Sequence, residues 1–148
     1  MNTELDALYQ AAILDHHRHP RNFRTLDAAR RAEGYNPLCG DRVSVYVRIE
    51  NGVVSEATFQ GFGCAIAMAS ASMMTEHVSG LTVEDAQAAA AEFDRMFATS
   101  EAPRVLNAAA LAAFEGVRRF PARIKCATLP WQVLRAAVAG DTAMVTTE

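Results

Sequence analysis

The chain has no apolar run approaching the ~18 residues of a membrane-spanning helix. Its start, Met1-Asn2-Thr3-Glu4-Leu5-Asp6, lacks the basic then apolar pattern of a secretory leader, so a cytoplasmic protein is expected. Net charge is also scarce: Lys+Arg 14 against Asp+Glu 17 leaves −3. With an isoelectric point near 5.8 there is no general attraction to polyanions, so neither nucleic acid nor a membrane is expected as a partner. Cysteine is sparse, three in 148 residues, with no Cys-x-x-Cys pair of the kind that announces most structural zinc sites. An odd number cannot all pair within one chain, and a reducing cytoplasm would keep them as thiols. There is no internal repeat and no low-complexity segment beyond a bias toward alanine.

A chain of 148 residues is long enough for one domain, 1–148, that buries roughly two thirds of its unfolded surface and needs neither disulfide nor metal merely to fold. Hydrophobic residues make up 51%, and 29 of them are Ala, so the core is expected to be built from close-packed small helical faces. Thr3 and Asp6 read as a cap, and Leu5, Leu8, Tyr9, Ala12 and Ile13 recur at helical spacing, predicting a first helix over about 4–17. His16 and His17 close that helix and His19-Pro20 stops it; histidines there are ordinary complements to the helix dipole. From Arg18 to Arg31 the chain carries five Arg and one Asp without a period, a connecting segment that is either plain solvated surface or a docking patch for an acidic partner.

Val43, Val45, Val47 and Ile49 alternate with polar residues as a half-buried strand does. Asn51-Gly52 then signals a hairpin. A plain two-residue turn would set Val45 and Val47 against Thr58 and Glu56 and mix the faces, so a three-residue loop, Glu50-Asn51-Gly52, is expected, with Val47, Val45 and Val43 opposite Ser55, Ala57 and Phe59. A third strand is expected over 32–37, because two strands alone are marginal. Helices are predicted over 65–78, about 83–98 with Thr82 as cap, and about 104–115. A last one, after Cys126, holds Leu129, Trp131, Val133, Leu134 and Val138 and ends at Gly140. The tail from Asp141 is expected to fray.

Between the cysteines lie 24 and 61 residues, but each cysteine sits where a loop is expected to meet an element. A thiol at a helix start is stabilised as thiolate by unsatisfied N–H groups and the helix dipole, which would suit Cys64 and Cys126 to metal binding or to attack on sulfur. Cys39-Gly40-Asp41 adds a carboxylate two residues from a thiol, and Gly40 lets the turn tighten. Cys39, Asp41, Cys64 and Cys126 can thus furnish four tetrahedral ligands; the plainer alternative is three buried structural thiols.

Three segments carry a resemblance: Glu33-Gly34-Tyr35-Asn36-Pro37-Leu38-Cys39-Gly40-Asp41; Gly61-Phe62-Gly63-Cys64-Ala65-Ile66-Ala67 with Ala69 to Glu76 after it; and Arg123-Ile124-Lys125-Cys126-Ala127-Thr128-Leu129. In this order they resemble the U-type iron–sulfur cluster assembly proteins, the family of SufU, IscU and the NifU N-terminal domain. They look most like the SufU branch. The match runs from Leu8-Tyr9 to Trp131.

The resemblance implies an α+β fold, a three-stranded antiparallel sheet against about five helices, with a metal site at one end. It also implies the ligands Cys39, Asp41, Cys64 and Cys126 and a Zn²⁺ ion, with iron or a [2Fe-2S] cluster as the alternative. IscU-like members place His directly before the last cysteine; here that position is Lys125, which is protonated near neutrality. The SufU-like Arg three residues before that cysteine is Arg123, whose guanidinium would offset the excess negative charge of three thiolates and a carboxylate on zinc.

The function implied is acceptance of persulfide sulfur from a cysteine desulfurase at Cys39, for passage to downstream cluster-assembly proteins. That is at most a sulfurtransferase acting with its desulfurase, without autonomous turnover. The alternatives are a scaffold that holds a nascent [2Fe-2S] cluster on the same ligands, and a structural zinc module. The last is the weakest, since a domain of this size needs no metal for its core.

Overall fold

The computed structural model describes residues 10–27, 29–98 and 113–147. Four α-helices are seen there, α1 (Ala11–Arg18), α2 (Ala65–Val78), α3 (Val83–Arg95) and α4 (Pro121–Ala139), with a 3₁₀ turn over Glu115–Arg119. Strands β1 (Arg30–Asn36), β2 (Asp41–Glu50), β3 (Val53–Phe62) and β4 (Val145–Thr146) form one mixed sheet in the order β3-β2-β1-β4. The class is α+β, as expected.

Alternation decides which face of the sheet is covered. Ala32, Val43, Val45, Val47, Ala57 and Phe59 are buried on one face, where α2 and α4 pack. α1 packs on α2, and α3 on α4. The abundance of alanine now has a purpose. α2 buries ten of its fourteen residues, among them Ala67, Ala69, Ser70, Ala71 and Ser72, which lets its neighbours approach closely. Larger side chains fill the space beyond, with Phe93 stacked on Trp131 at 4.6 Å between ring centroids. The other face of the sheet is polar, with the Arg31 guanidinium over Tyr46 and that of Arg42 over Tyr35.

Three expectations are corrected. The β2–β3 connection is the two-residue turn after all: Glu50 pairs with Val53 and Ile49 with Val54 across Asn51 (φ 53°) and Gly52 (φ 75°). The conflict of faces is resolved by a bulge, since Arg48 pairs with Glu56 and leaves Ser55 extra. Beyond it Val47 faces Ala57 and Val45 faces Phe59, so both strands keep their apolar residues on the helical side. Second, the sheet has four strands. Val145 and Thr146 run parallel to Gly34 and Tyr35 and cover the outer edge of β1, where fraying was expected. Third, α4 begins at Pro121, its fixed φ suited to a first helical turn, and therefore contains Cys126.

The helix over 83–98 closes at Arg95 and is capped as expected, the Asp85 N–H donating to Thr82 Oγ1 at 3.1 Å. The cap at Thr3 and most of the helix over 104–115 lie outside the described residues. His16 does more than complement a dipole: it is buried, 2.7 Å from Ser72 Oγ, and helps seat α1 on α2.

Candidate metal and thiol site

The site is assembled where β1 hands over to β2. Asn36 and Asp41 are a cross-strand pair, so the intervening Pro37-Leu38-Cys39-Gly40 must turn in four residues. The Gly40 N–H donates to the Asn36 carbonyl at 2.9 Å, and Gly40 itself takes φ 71°. Asn36 Oδ1 accepts the Leu38 N–H at 3.3 Å, an Asx turn that starts the loop. Cys39 is thereby held at the tip and half-buried, while Asp41 at the base is wholly buried.

β3 and α2 bring the second thiol. Cys64 is the N-cap of α2, and its sulfur accepts the Ala67 N–H at 3.5 Å. Its own backbone N–H donates to Asp41 Oδ1 at 2.8 Å. This close approach requires Gly63, because a Cβ there would stand 2.5 Å from Asp41 Oδ1. The glycine before the cysteine is therefore part of the site's geometry.

Cys126 arrives from the second turn of α4 and is fully buried. Pro130, four residues on, has no N–H for the Cys126 carbonyl, so the helical ladder is interrupted at this residue. The Cys126 sulfur lies 3.2 Å from Cys39 Sγ and accepts from Asn36 Nδ2 at 3.3 Å. Ligand atoms of Cys39, Asp41 and Cys126 all lie within 4.8 Å of one another. Cys64 is outside that mutually close trio, but its thiol shares a hydrogen bond with Cys126.

Cys64 and Cys126 differ sharply. The hydrogen bond with Cys126 is the largest influence on Cys64 and, with the Ala67 N–H, outweighs burial to bring its pKa down to about 7. Cys126 moves the other way, its thiol held protonated by the hydrogen bond with Cys64, by burial, and by Cys39 and Asp41. The helix-start environment expected of both thus applies to Cys64 alone. Burial opposes the charge on Arg123, but the hydrogen bond with Cys126 and the charges of the three sulfurs hold it above its ordinary value. Arg123 Nη1 donates to Cys39 Sγ at 3.4 Å, so this arginine is engaged with the site. Lys125 is half-buried on α4 and has no hydrogen bond or ion pair among the described residues.

Asn36 was not singled out from the sequence, although it stands in the first motif. It is wholly buried and touches two prospective ligands, donating from Nδ2 to Asp41 Oδ2 at 3.0 Å and to Cys126 Sγ. An Asn before Pro reads locally as a turn residue, and only the tertiary contacts expose its second use.

The basic stretch from Arg18 to Arg31 is largely engaged within the chain. Arg21 pairs with Asp15 at 2.7 Å, Arg24 pairs with Glu56, and Arg30 donates to the Val138 carbonyl at 2.5 Å. Beside the site, by contrast, two large apolar side chains are open to solvent, Leu38 at 64% and Phe62 at 65% exposure. No described helix is long and apolar enough to cross a membrane.

Comparison with known proteins agrees with these features. The family described as "NifU-like N terminal domain" matches residues 8–143. The zinc-dependent sulfurtransferase SufU of Bacillus subtilis is 41% identical over 140 residues, 95% of either chain. The iron–sulfur cluster assembly scaffold protein IscU of Streptococcus pyogenes is 37% identical over 92% of this chain and 86% of its own. Among solved structures, the N-terminal part of a NifU-like protein from Brucella abortus superposes with a TM-score of 0.82 at 27% identity, over 93% of this chain and 96% of that one. With the three motifs gathered at one end of the sheet and the family matched along nearly the whole chain, this protein belongs to the NifU-like N-terminal domain family, the U-type proteins of iron–sulfur cluster assembly.

Proposed function

We propose that this protein accepts sulfur from the persulfide of a partner cysteine desulfurase at Cys39 and holds Zn²⁺ through Cys39, Asp41, Cys64 and Cys126. The donor chemistry fits that metal: soft thiols with one carboxylate suit zinc far better than magnesium or calcium. The similarity to a relative named as a zinc-dependent sulfurtransferase supports the same reading. Bound zinc would supply the Lewis acidity that keeps cysteine sulfurs deprotonated at neutral pH.

The observation that carries the sulfur-acceptor reading is the difference in mounting of the three thiols. Cys64 caps a helix and Cys126 is buried inside one, whereas Cys39 sits at a loop tip under the Arg123 guanidinium. As a thiolate, Cys39 attacks the outer sulfur of the partner's persulfide. An S–S bond forms to Cys39 as the partner's S–S bond breaks, the partner's sulfur leaves as thiolate, and Cys39 carries the new S–SH group. Exposed Leu38 and Phe62 give a docking desulfurase apolar surface at the mouth of the site. The bound sulfur then passes to downstream cluster-assembly proteins.

The second reading, a scaffold for a [2Fe-2S] cluster, is favoured by the similarity to IscU-named relatives and uses the same thiols. Metal analysis of protein purified without added iron, followed by a desulfurase assay with and without it, separates the two. Stoichiometric zinc and faster sulfide release support the sulfur acceptor. Iron with the absorption of a cluster and no effect on the desulfurase supports the scaffold.

A further inference from the structure

The donor cluster is braced from outside by the last strand. β4 lies parallel to β1, and the residue after it, Thr147, reaches the end of β1. Its N–H donates to the Tyr35 carbonyl at 3.3 Å, and its hydroxyl donates to Asn36 Oδ1 at 3.0 Å. Thr147 is only 9% exposed and Asn36 is fully buried. Asn36 Oδ1 therefore has two donors, the Leu38 N–H and the Thr147 hydroxyl, which fixes which end of the amide is oxygen. The opposite end must then present both hydrogens to Asp41 Oδ2 and Cys126 Sγ, the contacts observed. All four hydrogen-bonding positions of this amide are used, in a place where an unused one would be costly.

We propose that Asn36 is a positioning residue for the metal and thiol site, and that Thr147 holds it in register, making the β4 strap part of the site's support. The proposal rests on the metal-site reading above. Asn36 aims one hydrogen at the carboxylate and the other at the sulfur, so it sets the spacing between a β2 ligand and an α4 ligand. Loss of the Thr147 hydroxyl leaves Oδ1 with a single donor and frees the amide to rotate. Asp41 and Cys126 would then lose their common partner. Such outer contacts change metal affinity by roughly 10–100-fold in other sites.

The test uses the full chain carrying Thr147→Val, Thr147→Ser or Asn36→Ala, and a form lacking residues 144–148. Circular dichroism checks the fold of each. Zinc affinity is read by competition with a chromophoric chelator, and the ligand field is read from the absorption of the Co²⁺ form. In metal-free protein, the ratio of Cys126 to Cys39 alkylation by iodoacetamide is read by peptide mass spectrometry. Thr147→Val and the shortened form are expected to bind zinc about tenfold more weakly, to shift the Co²⁺ bands and to raise the alkylation ratio, while Thr147→Ser restores all three. Wild-type values of affinity, spectrum and alkylation in both Thr147→Val and the shortened form would overturn the proposal. So would a Thr147→Ser protein that behaves as Thr147→Val. If wild type binds neither zinc nor Co²⁺, the metal reading fails, and the alkylation ratio in metal-free protein still decides whether the strap positions the thiols. Should Asn36→Ala not fold, the Thr147 pair carries the test alone.

Discussion

Asp41 Oδ1 accepts the backbone N–H of Cys64 at 2.8 Å, so the first residue of β2 is tied directly to the N-cap of α2. The second oxygen of the same carboxylate accepts from Asn36, and the group is wholly buried. A carboxylate can receive both donors, but an amide in its place has one oxygen and one NH₂. Asp41→Asn must therefore set an NH₂ against a donor. It is expected to lower the stability of the metal-free protein by about 1–3 kcal/mol, read from urea unfolding. Zinc retention against a chelator should fall as well. Unchanged stability and retention would place Asp41 outside the site.

Gly63→Ala tests the same junction by steric means. The new Cβ would lie 2.5 Å from Asp41 Oδ1 and 3.1 Å from its Cβ, so either the carboxylate or the strand end must move. A cost of about 1–3 kcal/mol is expected, with weaker zinc retention than in wild type. Gly80→Ala is the contrasting control: Gly80, unlike Gly63, takes a positive φ of 92°, and a Cβ there meets no atom within 4 Å, so the variant should lose stability without losing metal affinity.

His16 gives the fold a pH dependence away from the site. Burial holds its pKa below the ordinary 6.5, Arg21 acts in the same direction, and Glu76, 3.7 Å away, and Asp15 pull the other way. Below 6.5 the unfolded chain takes up a proton that the native chain resists, so this contribution to stability is present above 6.5 and is lost as pH falls toward the folded-state value. Urea midpoints between pH 7.5 and 5 should fall more steeply for wild type than for His16→Gln. Equal slopes would show that His16 does not contribute.

Much of the architecture was legible because it follows local rules: the helix over 65–78, the valine alternation of β2 and the Thr82 cap are each set by residues close in sequence. The hairpin departs from unbroken alternation, and the bulge at Ser55 satisfies both the Asn-Gly turn and the buried face. β4 is too short to leave a pattern, since Val145 and Thr146 become a strand only because β1 offers them an edge. The ligand candidates were legible from thiol and carboxylate chemistry together with the family resemblance. Asn36 was not, because its role depends on Cys126, ninety positions away. Cys126 lies inside α4 and not before it as expected, because Pro121, a residue that suits a loop as well as a first helical turn, here opens the helix.

The central claim is that sulfur arrives at Cys39. After incubation with a cysteine desulfurase and cysteine, alkylation and peptide mass spectrometry locate the persulfide in wild type and in Cys39→Ala. Modification of Cys39 in wild type, falling to background across all three positions in Cys39→Ala, is the predicted result. Persulfide on Cys126 of Cys39→Ala at the wild-type rate would contradict the account and make the buried thiol of α4 the acceptor.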